Sequence, residues 1–346
     1  MIAFRVDANM SVATGHMYRC ISIAKKCRLA GKECIFFLAE DEYTDLLVKE
    51  QFQYCVLHIK WDDWDYGIEK VKENLQKYEI ECLVVDSYRV TERFFEEINK
   101  EIPIFYMDDL CTKKYKLDAT LHYSEWEQER ILEKLYENTD VKVYSGMQYM
   151  PLREAFEKEV CNTEKKYTLL ITTGGSDTYH ITLNLLKALM EDSYYQKEPV
   201  CAVLGKLNTD KEKIDELACQ YPNITIMQNI SNMDEVMRQS RYAVTAGGTS
   251  VYELMASGVP FVCFGFSDDQ KYFGERLEEH ENALWAGDAR DGVECLVENM
   301  VVLLNKMKDM GQKQEQELIC KNRKLLDGKG ASRIAEIIVD LCQEKR

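Results

Sequence analysis

Apolar positions fall in short blocks separated by longer amphipathic stretches. In the first half the blocks IAFRV, ECIFFLA, CVLHI, CLVVDS and IPIFYM are of strand length and nearly unbroken in apolar character, as expected of strands buried on both faces of a parallel sheet. Between the first two, Met17, Cys20, Ile21, Ala24 and Cys27 recur at helical spacing and predict one buried helix face. The pattern then restarts. After YMPLREAFEKEVCNTEKK, polar and charged over its latter part, come YTLLITT, VCAVLG, ITIMQ, YAVTA and FVCFGF, again with helical segments between them. Strand blocks alternating with helices predict α/β layers, and a chain of 346 residues is long enough for two cores. The boundary is expected between Pro151 and Lys166, giving a first domain over 1–150 and a second over 151–346. A last helix, from about Ala331 to Leu341, fits either core by its pattern alone.

Each half opens with a strand, a glycine turn and a helix: AFRVDA followed by TGH in the first, LLITTGGSD in the second. This predicts two doubly wound domains facing each other across a cleft. Ligands in such sheets bind outside the carboxyl ends of the strands.

Charge narrows the ligand. The net charge is −16, spread along the chain, and lysines and arginines occur together only as pairs such as Lys25 and Lys26. A nucleic acid or an anionic membrane is therefore not expected as a partner. An anionic small molecule would have to be met locally, by backbone amides and helix N-termini. The thirteen cysteines are scattered, no two closer than seven residues, with no C-x-x-C and no zinc spacing. They read as core thiols in a reducing compartment. The N-terminal segment lacks the features of a signal peptide, and no apolar run approaches the roughly 18 residues of a membrane span. A cytoplasmic protein without a membrane span is expected.

Three turns carry the candidate chemistry. ATGH at 13–16, TTGGSD at 172–177 and TAGGTSVYE at 245–253 each follow a strand and precede a helical pattern. Glycine there permits close approach of a phosphate, and the helix start offers unpaired amides. None matches a dinucleotide fingerprint or a P-loop. The second and third turns, through Gly174, Gly175 and Ser176 and through Gly247, Gly248, Thr249 and Ser250, are the expected diphosphate cradle. Glu253, one turn into the third helix, is placed to read ribose hydroxyls. Beside Gly15, His16 stands at a helix mouth whose positive end favours the neutral imidazole and so a base. Asp7, at the end of the same strand, is placed to orient it or to bind a sugar hydroxyl. Asp86, Tyr88, Asp108 and Asp109 end two further strands. Neighbours on a strand point to opposite faces, so Asp108 and Asp109 do not form a metal pair, and neither a metal nor a cofactor is expected. His16 reads as exposed and without structural duty, so its replacement by Asn should cost no more than about 1 kcal/mol of stability.

With these residues in view, the chain resembles the UDP-2,4-diacetamido-2,4,6-trideoxy-β-L-altropyranose hydrolases of pseudaminic acid biosynthesis. It is also similar to the peptidoglycan N-acetylglucosaminyltransferases, which share the GT-B fold. The resemblance covers about residues 1–285 through RVDANMSVATGHMYRC, VVDSY, YMDDL, GMQYMPLREAF, TTGGSD, AGGTSVYELMASGVP and SDDQ. It implies a GT-B fold of two facing Rossmann-like domains and hydrolysis of a UDP-linked amino-deoxy sugar. His16 would then activate water, Tyr88 would lie by the sugar and Glu253 would bind ribose, with Asp269 and Gln270 also near the substrate. The chain departs from the family pattern in two places. Asp269 and Gln270 stand where Asn-Gln is common, and DATLHYS follows YMDDL. The same architecture would serve a glycosyltransferase using a UDP-sugar, or a nucleotide-sugar binding protein without catalysis.

Overall fold

The computed structural model describes residues 1–9, 14–123, 126–158 and 164–344. It divides into two compact units, residues 1–154 with 328–346 and residues 155–327. The division falls close to the expected linker. The last helix, however, does not continue the second domain: Gly330–Glu344 packs on the helix Gly15–Leu29 and on the first sheet. Its docking is tight, because a side chain at Gly330 would meet the backbone of Met150 at 2.2 Å. Arg333 also donates to the Gln148 carbonyl at 2.8 Å.

The first unit is a sheet of seven strands, β1 (Ile2–Val6), β2 (Cys34–Leu38), β3 (Gln53–Val56), β4 (Cys82–Asp86), β5 (Ile104–Met107), β6 (Ala119–His122) and β7 (Lys142–Ser145), in the order β3-β2-β1-β4-β5-β6-β7. All pairings are parallel. Strands β1, β2 and β4 are buried along their whole length, as their unbroken apolar blocks require. β6 and β7 escape the sequence pattern because they are four residues long and, in β7, only partly buried. β3 starts and ends earlier than CVLHI suggests, since His58 turns the chain with φ 53°.

The second unit contains β8 (Tyr167–Thr172), β9 (Val200–Leu204), β10 (Ile224–Gln228), β11 (Ser240–Ala246), β12 (Phe261–Gly265) and β13 (Leu284–Asp288), in the order β10-β9-β8-β11-β12-β13. Again every pairing is parallel. Both units are doubly wound. Strand order reverses between β1 and β4 in one and between β8 and β11 in the other, and such reversals open a crevice at the carboxyl ends.

Each unit has its own core. Leu83, Val85, Phe94, Phe95 and Tyr106 lie in the first, and Leu169, Ile171, Leu185, Val244 and Phe264 in the second. The twelve described cysteines are free, and eight are buried. Cys219, Cys295 and Cys320 are exposed on helices, so the core reading of the thiols fails for these three.

Candidate functional site

In the first unit the chemistry gathers at the reversal between β1 and β4. The helix Gly15–Leu29 starts just past β1 and presents His16 and, one turn on, Arg19 toward the end of β4. His16 is buried, 6 % exposed, contrary to the expectation of an open helix mouth. Its Nδ1 lies 2.6 Å from Asp86 Oδ1. Arg19 grips the same carboxylate, with Nε 2.6 Å from Oδ2 and Nη2 on Oδ1. It also grips Asp109, with Nη1 at 3.2 Å from Oδ1 and Nη2 at 2.7 Å from Oδ2, and Nη1 donates to the Tyr123 hydroxyl. One buried guanidinium thus joins two carboxylates from the ends of neighbouring strands.

Proton accounting fixes the imidazole. Arg19 Nη2 also lies 2.9 Å from His16 Nδ1, but its two hydrogens are taken by Asp86 and Asp109. Were Nδ1 bare, it would face an ionised carboxylate at 2.6 Å, acceptor against acceptor. Nδ1 therefore carries a proton donated to Asp86, and Nε2 is the nitrogen left to exchange one. Burial opposes ionisation of Asp86, yet the charge of Arg19 and the contact with His16 hold its carboxyl well below the usual carboxylate range. Because the folded value lies below the unfolded one of about 3.9, this stabilisation is complete above that pH and is lost only as acid carries the group through its lower folded value.

Tyr88 stands edge-on to His16, ring centroids 4.6 Å apart and planes at 81°. Burial and the Asp109 charge push its phenol up to about 12, so it stays a hydroxyl at neutral pH. Asp108 and Asp109 lie just past β5 and diverge. Asp108 turns back to accept from the amides of Leu110 and Cys111 at 3.1 and 2.8 Å. Among the described residues, His16, Asp86 and Asp109 offer atoms within 4.8 Å of one another, as a metal would need. Arg19 is already hydrogen-bonded to both carboxylates and serves as the cation there.

Asp7 is not the partner of His16. It accepts from Arg5 Nη1 at 2.6 Å and from the Ala39 amide at 2.8 Å, because Arg5 lies on a fully buried strand and needs a counter-charge. Asp86 takes the orienting position instead. Arg19 escaped the sequence reading, although its spacing three residues after His16 puts both on one helix face. Residues 10–13, including Ala13 of the first turn, and 159–163 of the linker lie outside the described residues.

The second unit places its two glycine turns at the reversal between β8 and β11. The first differs from expectation. Its helix, Ile181–Leu189, begins five residues beyond Ser176, and the Asp177 carboxylate takes the amides of Ile181 and Thr182 at 2.8 and 2.9 Å. A phosphate would find those two amides occupied. Gly174 has φ +88°, and no atom lies within 4 Å of the Cβ positions at Gly174 or Gly175. Behind them the turn packs on Gly205, where a side chain would strike the Gly175 carbonyl at 2.2 Å.

The other turn donates its Gly247 and Gly248 amides to the Phe264 and Ala246 carbonyls, and it leaves the start of its helix uncapped. Thr249–Ser257 begins at Thr249 as expected, and its N-cap Gly248 supplies no side chain to satisfy the first amides. Gly247 is needed for close approach: a Cβ there would meet Gln270 Cβ at 3.2 Å and the Gln270 carbonyl at 3.3 Å. Ser250 is partly buried, Thr249 is exposed, and Glu253 is buried at 9 % exposure, unlike a solvated helix residue. Gln270 spends its Oε1 on the Phe266 amide, 3.1 Å, while Ser267 Oγ accepts from the Gln270 amide. Asp269 is exposed in the first turn of Asp268–Glu279. A carboxylate there complements the helix dipole.

Residues 154–328 match the glycosyltransferase family 28 C-terminal domain, a span nearly coincident with the second unit. The chain is 25% identical to an uncharacterized protein of Methanocaldococcus jannaschii over 83% of its own length, and spans only 61% of that relative. It is 20% identical to the spore coat polysaccharide biosynthesis protein SpsG of Bacillus subtilis, over 98% of both chains. Identity to the UDP-2,4-diacetamido-2,4,6-trideoxy-β-L-altropyranose hydrolase of Campylobacter jejuni is 22%, over 76% of this chain and 91% of that one. Among solved structures, MurG of Acinetobacter baumannii superposes with TM-score 0.66 at 14% identity, over 98% of this chain and 99% of its own. UGT2 of Phytolacca americana, complexed with UDP-2-fluoro-glucose and pterostilbene, gives 0.68 at 10%, over 99% of both. At such identities the likeness carries the fold, which is of GT-B type. Among the described residues no helix is long and apolar enough to cross a membrane.

Proposed function

Since the chain belongs to the glycosyltransferase family 28 C-terminal domain family, we propose that it binds a UDP-linked amino-deoxy sugar and hydrolyses it at the anomeric carbon. The observation that carries this reading is the buried His16–Asp86 pair, which leaves Nε2 as the exchangeable nitrogen at a strand-order reversal. Water forms the new bond to C1, the bond from C1 to the diphosphate oxygen breaks, and His16 Nε2 takes the water proton. UDP leaves with the bonding pair. Asp86 holds the imidazole and balances the imidazolium that forms. In the second unit, the uncapped amides at Thr249 and Ser250 serve the diphosphate and Glu253 the ribose, with Gly174, Gly175 and Ser176 adding open backbone. No metal or cofactor enters the scheme. Kinship to the Campylobacter hydrolase and to SpsG supports a place in nonulosonic acid or surface polysaccharide synthesis.

A second reading, transfer of the sugar to an acceptor other than water, is favoured by the family match and by the likeness to MurG. Incubation with a panel of UDP-sugars, with and without acceptor alcohols, separates the two. Release of UDP and free sugar in buffer alone supports hydrolysis, and oxygen-18 from water should appear at C1 of the sugar and not in UDP. Release only on addition of an acceptor would replace hydrolysis by transfer.

A further inference from the structure

His16 shares its pocket with a cation and two carboxylates. Arg19 and Asp86 approach its Nδ1, Tyr88 stands edge-on to its ring and Asp109 offers an atom within 4.8 Å, while Cys20 bonds to Asp86 and Tyr123, beyond β6, to Arg19. Cys20 Sγ donates to Asp86 Oδ2 at 3.4 Å, which leaves it a neutral thiol, and Tyr88 is a neutral phenol. The charges that count are therefore one positive and two negative. Arg19, 10 % exposed at its side chain, is bound to both carboxylates and lies 2.9 Å from the imidazole.

A base must be free of its second proton before it can accept one from water. Two ionised carboxylates beside an imidazole favour the imidazolium, because an opposite charge within about 4 to 6 Å stabilises the charged form. A guanidinium touching the ring edge opposes it. We propose that Arg19 is a positioning residue that keeps His16 in its base form, by offsetting part of the negative charge of Asp86 and Asp109 while fixing Asp86 against Nδ1. This rests on His16 acting as the base. The arrangement itself is testable without any substrate.

The test follows the protonation of His16 in the folded protein by NMR of its ring signals, identified among the five histidines by their loss in His16→Asn. In Arg19→Gln the midpoint should move up by about 1 to 3 pH units relative to the unaltered protein. Asp109→Asn, which removes one carboxylate and leaves the Arg19–Asp86 pair, should move it down. Should Arg19→Gln fail to fold, Arg19→Lys keeps the charge and should leave the midpoint within about half a unit, with the Asp109→Asn shift as the second arm. An unmoved or lowered midpoint in Arg19→Gln, or a raised one in Asp109→Asn, overturns the role of Arg19. The acid limb of the turnover profile should follow the same shifts. If the NMR midpoints move and the limb does not, Arg19 governs His16 as proposed and the base of the reaction lies elsewhere.

Discussion

The corner at His16 and the turn at Gly247 occupy comparable places, each past the carboxyl end of a strand where the order of its sheet reverses. They are built from opposite materials. The first is a closed network of side chains in which His16, Arg19, Asp86 and Asp109 satisfy one another. The second is backbone without side-chain capping at the helix start. Buried networks of the first kind hold a reacting group in one geometry. Open turns of the second kind wait for a ligand to complete them. The contrast fits the division of labour proposed above, proton transfer in one unit and anion recognition in the other.

Loss of the imidazole tests that division most severely. His16→Asn should lower turnover by about 10² to 10⁴, the contribution of a positioned general base, and leave the affinity for UDP near that of the unaltered protein. It should also cost about 1 to 3 kcal/mol of stability, because a hydrogen bond to a charged group is lost. Chemical denaturation alongside steady-state kinetics reads both. Turnover above a tenth of normal would remove His16 from the chemistry.

Glu253→Ala addresses the other side. UDP affinity by calorimetry should fall by about 1 to 3 kcal/mol, with a much smaller loss for 2′-deoxy-UDP. Equal losses for the two nucleotides would mean that Glu253 does not read the ribose.

The finest test lies within one glycine pair. Gly247→Ala should destabilise the second unit by about 1 to 3 kcal/mol, since the methyl presses on Gln270. Gly248→Ala meets nothing within 4 Å and should change stability by no more than about 0.5 kcal/mol. Any loss of UDP affinity in Gly248→Ala then reports the ligand. If its thermal midpoint fell as far as that of Gly247→Ala, the turn would be a packing feature and not a cradle.

Legibility in the sequence followed burial. The blocks IAFRV, CIFFL and CLVVD are apolar because both faces of their strands are covered, so their strands and the parallel arrangement could be read directly. LWAGD and KVYS are half-covered edge strands, and their mixed composition hid them. At the site, Gly15 and His16 stood out by residue type. Arg19 did not, because an arginine on an amphipathic helix usually faces water, and only tertiary structure brings Asp86 and Asp109 onto it. Asp7 misled for the same reason: its partner is Arg5, two residues away on a strand whose burial the apolar pattern gave no cause to extend to an arginine.

The return of the last helix to the first unit bears on the order of synthesis. Residues 155–327 form a unit of their own, whereas the unit that starts first is finished only by residues 328–346. At about 5 to 20 residues per second, the ribosome takes roughly 10 to 35 s to travel from the end of one piece of that unit to the start of the next. Throughout that interval the helix Gly15–Leu29 lacks the partner it packs against in the finished protein. The interior unit, by contrast, is continuous in sequence and has all its residues by 327. The helix that carries His16 therefore gains its last neighbour only when residues 330–344 have been made.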